Sequence, residues 1–268
     1  MRRQIQLMFI ALMFYTRIPV HFDVEYSDEK LNASTRYFPL IGYIVGGLSF
    51  IGFYLAQWVL PLELAVITSF LVGILVTGAF HEDGLADFFD GFGGGWTTAK
   101  ILDIMKDSRV GTYGMVATIL QLGIKYFALY ALVQLLLPLG MYWIALLFVT
   151  YHSLARFTAI QLCFLLEYVR LDASSKAKPI AQKQTFKEVL GVYGFGLLPF
   201  MGWVYAFPVL ICTLIPLVVL LLYFKGYLKK WIGGYTGDCL GAVEQVAEGL
   251  ILVTFLALWK FISFDIPL

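Results

Sequence analysis

Apolar residues fill the chain in long uninterrupted runs that are separated by polar connections. Seven runs are close to the roughly 20 residues that a helix needs to cross the hydrocarbon core of a bilayer. Runs such as VLICTLIPLVVLLLYF do not alternate, which excludes the strands of a transmembrane β-barrel. The pattern therefore predicts an all-α, polytopic transmembrane helix bundle with spans at 38–60, 64–81, 113–137, 140–166, 189–205, 208–224 and 239–259.

The first twenty residues, MRRQIQLMFIALMFYTRIPV, combine a positive start with a short apolar stretch, as a signal peptide does. No small-residue cleavage site follows, and Arg17 and Pro19 interrupt its end. We expect an uncleaved N-terminal helix that is interfacial or half-buried. No internal repeat or separate soluble domain is visible, so residues 1–268 are expected to form a single membrane-embedded domain.

Composition agrees with a membrane location and narrows the partners. The chain is 60% hydrophobic and 14% charged, whereas soluble domains are about half apolar and about a quarter charged. The lipid bilayer is thus one expected partner. A net charge of +1 provides no field to attract nucleic acid, which is excluded as a partner.

Lys and Arg are distributed unevenly among the connections. The connections 1–37, 82–112, 167–188 and 225–238 hold 16 of the 19 basic residues. Basic residues favour the cytoplasmic side of a membrane, so these four connections are predicted to face the cytoplasm. With seven spans, the C-terminus is then expected outside.

Four carboxylates follow the second run, in the segment HEDGLADFFDGFGGG. Asp83, Asp87 and Asp90, which we call the acid stripe, are spaced i, i+4, i+7 and would share one helix face. Carboxylates this close repel one another unless a cation lies among them, and oxygen ligands suit Mg²⁺ or alternatively Mn²⁺. Glu82 points about 100° away and would act indirectly, or as a ligand in an irregular first turn. Capping of a helix N-terminus is the alternative, but it accounts for only one or two acids.

Glycines and basic residues follow the acid stripe. Gly93 and Gly94 belong to a Gly-rich turn that could bring backbone N–H groups close to a phosphate, or simply end a helix. The next polar segment, MKDSRVGTYG, contains Lys106, Ser108 and Arg109, which we call the phosphate clamp. A basic anchor at the membrane surface is the other interpretation of this segment.

The segment WIGGYTGDCLGAVEQVAEGL places further acids at the start of the last span. Charged groups inside a span are costly and usually functional. Asp238, Glu244 and Glu248 could hold a second metal ion, position a hydroxyl group, or pair with Lys125 or Arg156, and the sequence leaves these alternatives open.

Three more arginines are candidates for binding a substrate phosphate. Arg17 and Arg36 precede apolar stretches and are either phosphate contacts or interface anchors. Arg156 lies inside a span near its cytoplasmic end, where its side chain could also reach the interface. Acids, glycines and basic residues at one membrane face together predict a site for phosphoryl chemistry.

Several segments are similar to a known family. HEDGLADFFDGFGGG, MKDSRVGTYG and GGYTGDCLGAVEQVAE occur in this order, after QIQLMFIALMFYTRIPV and YFPLIGYIVGG. Together they resemble the cobalamin (5′-phosphate) synthase family, also called adenosylcobinamide-GDP ribazoletransferase, from the first helix to residue 248. The chain departs from the family pattern at Glu82, where leucine is most frequent, and reads ADFFDG in place of ADTADG. The aspartates are kept.

The resemblance implies a membrane enzyme for the last step in assembling the nucleotide loop of the vitamin B12 coenzyme. In that step the 5′-hydroxyl of α-ribazole, or of its phosphate form, attacks adenosylcobinamide-GDP. GMP leaves, and adenosylcobalamin or its 5′-phosphate forms, with Mg²⁺ required. The family is located in the bacterial inner membrane. A homo-oligomer, the number of metal ions and the preferred form of α-ribazole stay open.

Residue roles follow from the same resemblance. The acid stripe would hold Mg²⁺ on the pyrophosphate, with Glu82 and Asp238 as further metal candidates. The phosphate clamp would bind phosphate, and one of Asp238, Glu244 or Glu248 would assist deprotonation of the attacking hydroxyl. A CDP-alcohol-type membrane phosphotransferase is the alternative function, although Asp83-Gly84 lacks the Ala-Arg pair expected there. A cation transporter would instead need its acids near mid-membrane.

Overall fold

A computed structural model describes residues 2–169 and 185–262 of the chain. Within these residues every regular element is helical, apart from one isolated parallel bridge between Tyr168 and Tyr235. Short 3-10 segments precede or follow three of the helices, at Thr35–Tyr37, Leu137–Leu139 and Pro208–Thr213. The α-helices are α1 Arg2–Tyr15, α2 Asp28–Ser34, α3 Phe38–Ala56, α4 Leu62–Thr77, α5 Phe80–Gly94, α6 Thr98–Ile104, α7 Thr112–Leu136, α8 Met141–Leu165, α9 Phe186–Ala206, α10 Leu214–Ile232 and α11 Gly237–Ile262.

Six helical stretches in the described residues are long and apolar enough to cross a membrane, or seven if the bent pair α4–α5 counts as one span. This confirms the predicted all-α polytopic bundle. The predicted connection 225–238 is wrong in its first part, because α10 continues to Ile232. Lysine favours helix, so the basic residues there extend the helix until Gly233 (φ 78°) ends it.

The segment 82–112, predicted as a polar connection, contains α5 and α6. α5 turns away from α4 by 87° at two residues with positive φ, Gly78 (69°) and Ala79 (59°). The Gly-rich turn predicted at Gly93 and Gly94 is wrong, because α5 runs through Gly94, and the end of α5 at this residue agrees with the alternative that the glycines end a helix. One glycine shows why: the Tyr113 ring lies 2.5 Å from where a Cβ on Gly93 would be. These glycines therefore allow close helix packing instead of forming a loop.

α11 lies against α5, α7 and α8 and forms the centre of the part of the bundle that carries the polar residues. α1 packs on α2 and α3 through a buried face that includes Leu7 and Ile10, while Ile5 and Met13 on its other side are about half exposed. This one-sided burial fits the half-buried N-terminal helix expected from the sequence.

Two neighbouring glycines of α3 provide a test of its packing on α8. A Cβ on Gly46 would lie 2.5 Å from the backbone oxygen of Phe148, whereas nothing lies within 4 Å of a Cβ on Gly47. We expect Gly46→Ala to lower the free energy of unfolding by about 1–3 kcal/mol, since overpacking costs that much. Gly47→Ala should raise it by up to about 1 kcal/mol because alanine favours helix. Unfolding of both variants in detergent measures this, and equal effects would contradict the α3–α8 contact.

Candidate functional site

The acid stripe lies on α5, whose opposite face buries Leu85 and Phe88 in the bundle. Asp83 is exposed, Asp87 is half-buried and Asp90 is buried. Because all three belong to one continuous helix, their spacing does place them on one side of it. The stripe thus runs from the open rim of the bundle towards the start of α7.

Asp90 binds the first turn of α7. Its Oδ2 accepts a hydrogen bond from the backbone N–H of Gly111 at 2.6 Å, and its Oδ1 accepts one from Gly114 at 2.9 Å. Gly111 is the N-cap residue of α7 and has no side chain to satisfy these donors. Asp90 therefore caps α7 from another helix and ties the two helices together.

The start of α11 crosses α5 beside the acid stripe. A Cβ on Gly84 would lie 3.1 Å from Cα of Asp238, and a Cβ on Gly241 would lie 3.2 Å from Cα of Gly84, so glycine at positions 84 and 241 lets the two helices approach closely. This approach brings Asp238 next to the first turns of α5. Glu244 and Glu248 lie further along α11, about 9 and 15 Å deeper at 1.5 Å per residue. The three acids predicted as one group are therefore divided between two places.

Glu244 and Glu248 belong to a buried ion network. Nη1 of Arg156 lies 2.8 Å from Oε1 of Glu244 and 3.5 Å from Oε1 of Glu248. Nζ of Lys125 lies 2.5 Å from Oε2 of Glu248, whose Oε1 is 2.5 Å from Nδ1 of His152. The pairing of these acids with Lys125 and Arg156, one of the three alternatives considered above, is present.

Oxygen and nitrogen atoms of His152, Glu244 and Glu248 lie within 4.8 Å of one another, close enough for a metal ion. Nη1 of Arg156 is near all three, since it also lies 3.4 Å from Nδ1 of His152. A divalent ion here would meet the positive charges of Arg156 and Lys125 at short range. The guanidinium group therefore acts as the cation of this cluster, which does not favour a second metal ion.

α5 joins the network through its first turn. Nδ1 of His81 lies 3.4 Å from Nη2 of Arg156 and 3.6 Å from Oε1 of Glu244. Oε1 of Glu82 accepts a hydrogen bond of 3.2 Å from Nε2 of Gln245. Glu82 thus points into the bundle and away from the acid stripe. His81 and Gln245 were missed as network members, and their only sequence signal is that each directly adjoins a candidate acid, Glu82 and Glu244 respectively.

A cavity lies beneath α5, between α3, α4, α7, α8 and α11. Five side chains that line it each have one shielded polar atom without a hydrogen-bond partner among the described residues. A polar cavity of this kind suits water or a small polar molecule, since buried polar atoms are seldom left unpaired. The atoms are Ser49 Oγ, His81 Nε2, Glu82 Oε2, His152 Nε2 and Arg156 Nε.

The phosphate clamp lies in the exposed connection between α6 and α7, adjoining the residues that Asp90 holds. Arg109 is highly exposed, and its Nη2 lies 2.5 Å from Oδ2 of Asp107. Hydrogen bonds from Arg109 lower the pKa of the Asp107 carboxyl to about 2, so this pair stays charged at neutral pH. Lys106 and Ser108 are exposed in the same connection.

The other predicted phosphate-binding residues lie elsewhere. Arg36 pairs with Glu188 at the start of α9 and lies away from solvent. Arg17 is exposed, and its guanidinium lies against Gly78 at the α4–α5 corner. Gly94 is exposed at the end of α5. Gly93 and Gly94 therefore lie on α5 with the acid stripe, and Arg17 lies beside the corner that precedes this helix.

An all-α membrane bundle that presents carboxylates at its rim, above a buried ion network, defines an integral membrane protein with a polar site at one end. The particular family follows from comparison of sequences. The model of the family described as cobalamin-5-phosphate synthase matches residues 7–256, and the chain belongs to that family.

Relatives of the chain carry a common name, adenosylcobinamide-GDP ribazoletransferase. One from Shewanella frigidimarina is 45% identical over 257 residues, covering 95% of each chain. One from Leptospira interrogans is 41% identical over 257 residues, covering 93% of this chain and 94% of the relative. One from Shewanella amazonensis is 41% identical over 274 residues, covering 97% and 98%. No solved structure matches the chain.

Proposed function

We propose that the protein transfers the adenosylcobinamide-phosphate group of adenosylcobinamide-GDP to α-ribazole or its 5′-phosphate. GMP is released, and adenosylcobalamin or its 5′-phosphate forms. The observation that carries this proposal is the name shared by relatives that are 41–45% identical over nearly the whole chain. The acid stripe, which is open to solvent at Asp83, supports it, since a diphosphate substrate requires a site that can hold a divalent ion.

The chemistry of the product identifies the attacking oxygen more closely. A 5′-phosphorylated acceptor has no free 5′-hydroxyl, and the family description, cobalamin-5-phosphate synthase, names a product that keeps this phosphate. A hydroxyl on the ribose ring must then attack, in place of the 5′-hydroxyl that the resemblance suggested. Its oxygen bonds to the phosphorus nearest the cobinamide, the bond from that phosphorus to the bridging oxygen breaks, and GMP leaves with that oxygen.

The acid stripe fits Mg²⁺, with Mn²⁺ as the alternative. Asp83 and Asp87 offer oxygen ligands one helical turn apart at the open rim, and Asp238 lies against the same turns. Each oxygen of Asp90 keeps one lone pair beyond its bond to α7, so this residue could add a ligand from below. The ion would neutralise charge on the diphosphate and on the leaving GMP.

The remaining residues divide into two roles in this proposal. Lys106, Ser108 and Arg109 would contact phosphate oxygens, because they are exposed in the connection that follows α6 and an exposed pair such as Arg109–Asp107 is weak enough to exchange partners. The acid that accepts the proton of the attacking hydroxyl would be Asp238. It adjoins the acid stripe, whereas Glu244 and Glu248 are buried deeper in the bundle.

The cellular location belongs to the same proposal. The excess of Lys and Arg on one set of connections supports a bacterial inner-membrane protein whose site faces the cytoplasm. The acid stripe and the phosphate clamp both lie in the segment 82–112, so the site would be open to substrates from the cytoplasm.

One assay tests the proposed reaction. The purified protein in lipid should release GMP from adenosylcobinamide-GDP when α-ribazole and Mg²⁺ are present, and chelation of the metal should stop the release. A parallel reaction with CDP-diacylglycerol and an alcohol should release no CMP, which tests the alternative function. Absence of GMP above background with either form of α-ribazole would refute the proposal.

A further inference from the structure

Arg156 contacts more helices than any role in binding a substrate phosphate requires. Its Nη1 donates a hydrogen bond of 2.9 Å to the backbone oxygen of His152 on its own helix α8. The same group pairs with Glu244 on α11, and Nη2 approaches His81 on α5. The guanidinium carbon lies 5.8 Å from the centre of the Phe38 ring on α3. One side chain thus joins four helices, and it is 1% exposed.

The first turn of α5 needs such a connection. It follows Ala79, whose left-handed backbone conformation (φ 59°) is unfavourable for a residue with a side chain. A strained residue of this kind persists only where its surroundings hold it in place. His81 lies two residues after Ala79 and two residues before Asp83, so the contact with Arg156 is made next to both the strained corner and the acid stripe.

We propose that Arg156 is a positioning residue that fixes α5 on α8 and α11 and thereby places the acid stripe at the rim. This inference rests on the proposed function. The network charges facing Arg156 are the carboxylates of Glu244 and Glu248, with Lys125 on the far side of Glu248. Lysine can replace Arg156 only in part, because its compact ammonium group has no second nitrogen and no planar face with which to contact His81 and Phe38 while it binds Glu244.

Arg156→Ala is the test, with added guanidinium as a probe. The substitution removes the cation but leaves the cavity beneath α5, which Arg156 lines and a small planar cation could enter. We expect turnover to fall at least about a hundredfold and the Mg²⁺ concentration for half-maximal activity to rise about tenfold, since misplaced catalytic groups have effects of this order. Guanidinium at tens of millimolar should restore part of both values, and Arg156→Lys should lie between Ala and wild type.

The control is Arg3→Ala, which removes an exposed arginine paired with Glu29 at the surface. This variant should behave as wild type, with no response to guanidinium beyond that of the wild-type protein. Thermal melting gives a readout that does not depend on catalysis: guanidinium should raise the melting temperature of Arg156→Ala and not that of Arg3→Ala.

Two results would overturn the inference. If the folded fraction of Arg156→Ala kept the wild-type Mg²⁺ dependence, Arg156 would be merely structural. If Arg156→Lys matched wild type, positive charge alone would suffice. A wild-type protein that releases no GMP would refute the proposed function instead, while the melting experiment would still report whether guanidinium fills the place of Arg156.

Discussion

Asp87→Asn should abolish GMP release while leaving the melting temperature close to that of wild type. The substitution keeps the shape of the side chain but removes the negative charge that a divalent ion requires. Asp87 is half-buried at the rim, so the bundle should tolerate the amide. Losing a metal ion's stabilisation of the transition state costs several kcal/mol, and roughly 1.4 kcal/mol corresponds to tenfold in rate, so a loss of about a thousandfold is expected. Turnover is measured over a Mg²⁺ titration.

Asp83 and Asp90 provide the comparison for this result. Asp83→Asn should match Asp87→Asn, because both residues lie on the open part of the acid stripe. Asp90→Asn should differ by lowering the melting temperature as well, since the amide oxygen replaces only one of the two accepting carboxylate oxygens and the amide NH2 group would face the other backbone N–H. Near-normal turnover in both Asp83→Asn and Asp87→Asn would contradict the metal assignment.

The transmembrane helices could be predicted because the thickness of a bilayer and the backbone hydrogen bonds allow only one solution for long apolar runs. α5 could not be predicted in the same way. Its carboxylates and glycines are typical of a connection, and its helical state depends on packing that involves residues distant in sequence. Tyr113 covers Gly93, and the start of α11 lies on Gly84. The turn of 87° after α4 likewise depends on Gly78 and Ala79 adopting positive φ.

The same distinction applies to the candidate site. The spacing of the acid stripe predicts a shared helix face, which is a local property. The capping of α7 by Asp90, in contrast, depends on where α7 begins. The residues around Asp90 do not determine that position. The pairing of in-span acids with Lys125 or Arg156 was an open alternative, because burying a charge demands a partner. Which acid pairs with which cation follows only from the helix arrangement: Arg156 contacts Glu244 most closely, and Lys125 contacts Glu248.

Lys125→Met should lower the free energy of unfolding by about 3–5 kcal/mol, the usual effect of removing one partner of a buried ion pair. Nζ of Lys125 lies 2.5 Å from Oε2 of Glu248, and the two side chains are 5% and 1% exposed. Methionine fills a similar volume, so the loss would come from a buried Glu248 carboxylate that lacks the cation at its Oε2 and not from a cavity. Equilibrium unfolding of the purified protein in detergent micelles measures the change.

A second variant and a surface pair separate burial from charge. In Lys125→Met/Glu248→Gln the carboxylate is gone, while the new amide can still bond to His152, so much of the lost stability should return. Lys100→Met removes the cation of an exposed pair, with Lys100 and Asp103 at 59% and 72% exposure, and should cost less than about 1 kcal/mol. If Lys125→Met lowered the free energy of unfolding no more than Lys100→Met does, His152 and Arg156 would be sufficient to stabilise the Glu248 carboxylate. The ion pair of Lys125 with Glu248 would then not be needed for stability, and the position of Lys125 in the lining of the cavity beneath α5 would point to a role in ligand binding.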